Sequence, residues 1–268
     1  MNFFPASPTS RTASGSHLAP AIAFSALLML SVLPAKCIAW EWSWGGKSVS
    51  ASGVVKTETR AIAGYTGISL ALPAKVTIVQ GGKEGLTIEA DDNFLPLIET
   101  VVERGTLKIR STERNTNFKG KNFKINITVD AINIDQLSVA GSGDIVAAQL
   151  KSPKLKVSIA GSGDINLKAL DAESLKVSIS GSGDFNASGT ANDFEGSIAG
   201  SGTLRAERLK TKNVAVKIAG SGDVSIWATD AITLSVAGSG DVKYWGDPKV
   251  TQSVAGSGSI KRMGAAPN

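Results

Sequence analysis

Among 268 residues there is one cysteine, Cys37, and one histidine, His17, and the stretch 1–39 contains no acid. That N-terminal stretch carries Arg11, then an apolar run from Leu18 to Leu33, then the small-residue site Cys37-Ile38-Ala39. This is the pattern of a secretory signal peptide, and the run is shorter than the roughly 20 apolar residues of a spanning helix. Cleavage after Ala39 is expected. Lys36 directly precedes Cys37, where a lipoprotein signal needs a small residue, so acylation of Cys37 is not expected.

Removal of 1–39 leaves a chain with neither cysteine nor histidine. Disulfides, Cys/His zinc sites, cysteine nucleophiles and histidine general bases are thereby excluded. The remaining chain, 40–268, contains no G-x-S-x-G elbow and no S-x-x-K pair. Gly45-Gly46-Lys47-Ser48 resembles the end of a phosphate-binding loop, but Glu41 stands where that loop needs its first glycine. Asp91-Asp92 are adjacent rather than opposed, and read as a turn before Asn93. No catalytic residue, metal or cofactor is assigned. Loss of Arg11 and Lys36 lowers the net charge from +5 to +3, too mild to argue for nucleic acid, and no transmembrane span remains after the leader.

What the chain has in abundance is glycine, 29 residues, much of it in one repeated triplet. Gly-Ser-Gly recurs with its two glycines at Gly141 and Gly143, Gly161 and Gly163, Gly181 and Gly183, Gly200 and Gly202, Gly220 and Gly222, Gly238 and Gly240, and Gly256 and Gly258. A near-constant period of about 20 residues marks a solenoid, in which no repeat can bury its apolar face except against its neighbours. Leu155, Val157, Ile159, Gly161, Gly163, Ile165, Leu167 and Ala169 alternate with small or polar residues, which is strand periodicity carried through the glycines. The fold class predicted is all-β, a single-stranded parallel β-helix (β-solenoid), right-handed by the bias of parallel crossovers. Each coil reads as strand, inward-facing glycine corner and strand, closed by a second turn such as Asp171-Ala172-Glu173.

The organisation expected is a signal peptide at 1–39, a poorly ordered Trp/Gly/Ser-rich segment at 40–53 and one β-solenoid domain at 54–268. Within that domain, 54–136 are irregular first coils and 137–263 the regular repeat. Asp144, Asp164, Asp184, Asp223 and Asp241 follow their corners directly and are expected to hydrogen-bond corner N–H groups; one Asp per coil does not fit the denser spacing of calcium-binding β-rolls. Rows of serine and alanine, among them Ser138, Ser158, Ser178 and Ser197, predict a flat, nearly uncharged flank suited to another protomer. Trp227 and Trp245 stand four residues after Asp223 and Asp241 and form the candidate binding site, side by side on successive coils where earlier coils carry Ala148, Lys168, Ser188 and Glu207. The alternative for these rings is burial under a tail, 246–268, folded back as a cap.

The chain resembles the putative auto-transporter adhesin, head GIN domain family over roughly Ala61 to Met263. The likeness is carried by Ala63-Gly64-Tyr65-Thr66-Gly67-Ile68, by Ala74-Lys75-Val76-Thr77-Ile78-Val79-Gln80-Gly81, by Asp92-Asn93-Phe94-Leu95 with Gly105-Thr106-Leu107-Lys108-Ile109, and by the serial corners. The resemblance implies a β-helix-like fold and a surface or adhesive role, with no catalytic residues to carry over. The function expected is a non-catalytic exported scaffold in the periplasm, on the outer-membrane surface or outside the cell. Its expected partner is a glycan, another cell-envelope component or a second copy. A polysaccharide lyase or hydrolase is the rival reading. Intact mass of exported protein is expected to begin at residue 40; a chain that keeps Met1, or a lipid on Cys37, would overturn both the leader and the cysteine-free argument.

Overall fold

The computed structural model describes residues 47–113, 115–121 and 123–267, so the stretch 1–39 expected to be a signal peptide and Trp40, Trp42 and Trp44 lie outside the described residues. These residues form a β-solenoid of about 6 turns, with one short 3-10 turn at Leu95–Leu97 and no α-helix. Strands β1 (Ser48–Ser50), β2 (Val55–Arg60), β3 (Gly67–Ala71), β4 (Lys75–Gln80), β5 (Gly85–Asp91), β6 (Ile98–Glu103), β7 (Thr106–Ser111), β8 (Asn117–Lys119) and β9 (Asn126–Ala131) make the irregular N-terminal part. The regular part follows as β10 (Gln136–Gly141), β11 (Asp144–Ala147), β12 (Leu150–Gly161), β13 (Ile165–Gly181), β14 (Asp184–Gly200), β15 (Thr203–Gly220), β16 (Asp223–Gly238), β17 (Val242–Trp245), β18 (Lys249–Gly256) and β19 (Ile260–Gly264).

Successive coils stack in parallel and in register, Ser138 on Ser158 on Ser178 on Ser197 on Lys217 on Ser235 on Ser253. Inward residues bury almost completely: Leu175, Val177 and Ile179 on one face, Ile165 and Leu167 on a second. The expected alternation fails after Leu167. Ala169 is exposed and Leu170 buried, and the inward phase slips again between Ala172 and Leu175. Each such slip rotates the chain to a new face, so the coil has three faces. The expected turn at Asp171-Ala172-Glu173 is absent, since β13 runs unbroken through it.

The corners also differ from expectation. In every pair but the last only the second glycine, such as Gly163 or Gly183, is buried; the first, such as the half-exposed Gly161 or Gly181, stays accessible and has positive φ. At Gly161 φ is +127°, and a Cβ would lie 2.5 Å from Gly141 O on the preceding coil. That oxygen accepts a hydrogen bond from Ser162 N–H at 2.8 Å, and the bond recurs at 2.9 Å from Ser182 to Gly161 and from Ser201 to Gly181. A side chain at the first glycine would therefore force apart the backbone contact that sets the coil spacing.

Where the coil length changes, the corners stay in register and the difference appears elsewhere. Leu167 pairs with Ala187 and Leu170 with Gly189, so two residues face one. Ala206 pairs with Ile226 but Lys210 with Trp227, so 207–209 form a bulge.

The N-terminal end is closed by antiparallel strands: β6 against β7, β5 against β9, and β2 against β5. The Arg60 guanidinium ties two of these together, donating to Ile98 O at 2.7 Å and to Thr100 Oγ1 at 3.0 Å. Phe94 packs edge-on against Phe118 and Phe123, with ring centroids 4.9 and 5.5 Å apart. Part of the segment expected to be poorly ordered is a strand: β1 pairs with β8. Its continuation is pinned by the adjacent acids, Gly53 N–H donating to Asp91 at 2.7 Å and Ser52 Oγ to Asp92 at 2.7 Å. The C-terminal tail forms β18 and β19, one further coil.

The corner geometry separates two glycines that share a conformation. Gly141 has φ +102° with nothing within 4 Å of an added Cβ, whereas Gly161 has the clash described. Gly141→Ala is expected to cost about 1–3 kcal/mol of backbone strain, and Gly161→Ala or Gly161→Val roughly 4 kcal/mol or more. Urea unfolding of the variants checks this; equal losses for Gly141→Ala and Gly161→Ala would refute the close approach.

Candidate functional site

The second face ends in an edge where β13, β14 and β15 each change direction, and the most irregular part of the coil surface lies there. Asn166, Asn186 and Arg205 stack in register on the outward side of that face. They line a depression of about 430 Å³ with Lys168, Ser188, Glu207 and Arg208. Ser188 Oγ donates to Lys168 O, which fixes one rim, and the Arg205 guanidinium donates to Asp184 at 2.7 Å. Glu207 places one carboxylate oxygen, Oε2, out of solvent with no hydrogen-bond partner among the described residues. A buried acceptor left unpaired costs on the order of 1–3 kcal/mol, so a ligand hydroxyl or amide that reached it would recover that free energy.

On the next two coils the same edge carries the tryptophans. Trp227 and Trp245 are direct register partners and both are half-exposed. The backbone neighbour of Trp227 on the preceding coil is Lys210, not Glu207 as the spacing from Asp223 suggested, because the bulge at 207–209 shifts the register. Lys210 Nζ sits 5.7 Å from the Trp227 ring centroid, a cation–π contact. The tail does not fold back over the rings as a cap; Trp245 pairs with Gly264 of β19 as one more rung. The edge thus offers, along consecutive coils, a hydrogen-bonding depression and then two indole side chains.

A second concavity of about 500 Å³ runs along the edge where the third face meets the first. Four of its polar groups are already engaged with one another, Lys176 with Glu195 at 2.9 Å and Asn213 with Asp193 at 2.9 Å. Among the described residues no group of three or more acids is placed to hold a metal ion.

The corner aspartates serve the stack. All but Asp184 accept from the backbone N–H at the equivalent position of the following coil: Asp144 from Asp164 at 3.3 Å, Asp164 from Asp184 at 2.9 Å, Asp223 from Asp241 at 3.2 Å and Asp241 from Ser259 at 3.0 Å. The expected hydrogen bonds are present, but they run between coils. Like charges are spaced out by Thr203, whose coil supplies Arg205 to Asp184, and by Lys75, the register partner of Asp144.

Residues 64–248 match the family described as putative auto-transporter adhesin, head GIN domain. The chain belongs to that family. A putative adhesin from Bacteroides fragilis NCTC 9343 is 27% identical, with a TM-score of 0.74 over 80% of this chain and 100% of that one. A putative lipid binding protein from Parabacteroides distasonis ATCC 8503 is 26% identical, with a TM-score of 0.68 over 81% of this chain and 100% of its own. A putative adhesin from Parabacteroides merdae ATCC 43184, at 21% identity and a TM-score of 0.66 over 81% of this chain and 100% of its own, shares the fold. No curated protein matches the chain.

In this head GIN domain Tyr65 and Phe94, two of the residues that carried the resemblance, sit in the core of the N-terminal part. Tyr65 is buried and its hydroxyl donates to Asp130 O at 2.6 Å, with burial pushing its pKa up; Phe94 centres the aromatic cluster.

Two corner acids titrate in opposite directions. Burial raises the Asp144 carboxyl above its ordinary value, with the neighbouring Asp164 carboxylate adding to the rise against the N–H it accepts. The Ser259 hydroxyl, at 2.7 Å, and the Ser259 N–H hold Asp241 below its ordinary value. A raised folded-state pKa gives stability that is full below the unfolded pKa and lost as pH rises through the raised value; a lowered one gives stability present above the unfolded pKa and lost as pH falls. Asp144→Asn is therefore expected to be at least as stable as wild type at neutral pH and to lose that advantage towards about pH 3. Asp241→Asn is expected to be less stable at neutral pH, with the gap closing on acidification. Thermal melts across that range check both; parallel curves for all three proteins would contradict the assignment.

Proposed function

We propose that this head GIN domain is a non-catalytic exported scaffold that binds a glycan of the cell envelope along the edge running from Asn166 to Trp245. The carrying observation is that two chemistries sugars require lie on one edge of the stack: the Asn166, Asn186, Arg205 and Glu207 depression for hydroxyls, and, two residues beyond Ser225, the register partner of Arg205, Trp227 with its own partner Trp245 for the apolar face of a ring. The coils repeat about every 4.8 Å, so neighbouring groups meet successive parts of an extended chain and not one compact molecule. Family membership supports a surface or exported setting. The corner acids are engaged between coils and set apart one per coil, which supports binding without turnover.

Glycan-array binding with the purified protein, followed by titration of the best ligand, tests the proposal. Trp227→Ala with Trp245→Ala is expected to weaken binding by about thirtyfold or more, as the loss of a hot spot does. The melt of that double variant is expected to stay within about 2 °C of wild type. Retained affinity with a large fall in melting temperature would make the rings structural. Release of new reducing ends or unsaturated sugars from any polysaccharide offered would overturn the non-catalytic reading.

A further inference from the structure

The two ends of the stack are finished differently. At the N-terminal end the last strands are antiparallel and carry charge: β2 has Lys56, Glu58 and Arg60, and β6 has Glu99 and Glu103. Charged edges of this kind discourage further strand pairing. At the other end β18 pairs only with β16, and β19 only with β17, among the described residues. Val250 and Val254 continue the columns of Ile232 and Val236, which are 1% and 2% exposed; the two valines are 41% and 42% exposed. Every earlier coil buries these positions under the next coil. The last one presents the same apolar seat, with free backbone groups along its rim.

We propose that this seat is an interface with a second copy of the chain, joined end to end through β18 about a two-fold axis. Three features select that occupant. The backbone ladder that holds the coils together continues to this surface, with Gln252 in the column of Leu234 between the two valines, so a second β18 offers the same backbone edge and the same valines. The antiparallel closure, whose β2 edge carries Lys56, Glu58 and Arg60 beside the exposed Val55, is the poorer match, which disfavours head-to-tail growth into a fibre against a closed pair. Finally, side chains directly opposite in an antiparallel pair share a face, so the inward parity of Val250, Gln252 and Val254 selects one register. Gln252 lies on the axis and Val250 faces Val254 of the other copy. The charges also suit the pairing. Within each copy Arg262 already pairs with Asp247 at 3.4 Å, and a two-fold through β18, which exchanges the second and third faces, brings Lys261 of β19 towards that Asp247 of the other copy, whose side chain is 93% exposed. A seat one coil wide is small beside the ~1,600 Å² of a standard interface. The dimer is therefore expected to dissociate on dilution.

Sedimentation of the full chain over a dilution series is expected to show a reversible monomer–dimer equilibrium. Val254→Lys puts a charge into the seat at a position already exposed in the monomer, and is expected to shift the protein to monomer while the melt of dilute protein stays unchanged. In a Cys37→Ser background, Gln252→Cys is expected to give a covalent dimer under mild oxidation, because opposed residues of an antiparallel pair lie within disulfide reach. Thr233→Cys, exposed one coil further in, is expected not to do so. Wild-type protein that sediments as a monomer at every concentration overturns the proposal. So does a dimer that survives Val254→Lys and leaves Gln252→Cys uncrosslinked. The glycan edge lies on the side of the stack, so array binding by the Val254→Lys monomer reports separately on that site.

Discussion

One backbone contact repeats through the molecule: the serine N–H of each Gly-Ser-Gly corner after the first donates to the first glycine's carbonyl on the preceding coil, at 2.8 to 2.9 Å. Because that bond joins main chain to main chain with no Cβ between, it fixes both the distance and the register of neighbouring coils. The apolar columns, the rows of serine and alanine and the ladder of corner acids all inherit their alignment from it. Apolar burial supplies the driving force, since a column such as Val157, Val177 and Val216 is nearly solvent-free, but burial is non-directional and does not choose a register. The corner does.

A rigid corner displaces variation to the rest of the coil. The step from Gly220 to Gly238 is shorter than the step from Gly161 to Gly181, yet both keep their glycines in register. The difference emerges as bulges at the edges between faces. The bulge at 207–209 leaves a Glu207 oxygen buried and unpaired, and brings Lys210 beside Trp227. The candidate site is in this sense a by-product of uneven repeat length. Its two chemistries adjoin where the stack is least regular, which is also where side chains are least constrained by their neighbours above and below.

Much of this could be read from the sequence because strand parity and glycine spacing are local signals. The repeat boundaries, the inward columns and the in-register serines needed nothing more. Ala169 shows where local reading stops: it continues the alternation from Leu155, yet Leu170 takes the inward place, because a face change adds one residue and small side chains mark neither option. The N-terminal closure was legible as strands but not as antiparallel pairs, since β2 and β6 are defined by distant partners. Their charged residues are edge signals that could have indicated it. The tryptophans were found, but the residue beside Trp227 was not, as a bulge of three residues leaves no trace in spacing counted from one Asp.

The acid ladder has a direction. Each corner carboxylate reaches forward, to a donor on the coil that follows it in sequence, and the first glycine's carbonyl does the same. A completed coil therefore displays acceptors already aimed at the coil still to come, whereas an incoming coil has no such array of its own until it docks. Assembly can start at the aromatic closure around Phe94 and advance one rung at a time on a finished template. A chain threaded through a membrane N-terminus first would deliver its rungs in that order, so translocation and folding would proceed with the same polarity, and no coil would wait for a partner that has yet to emerge.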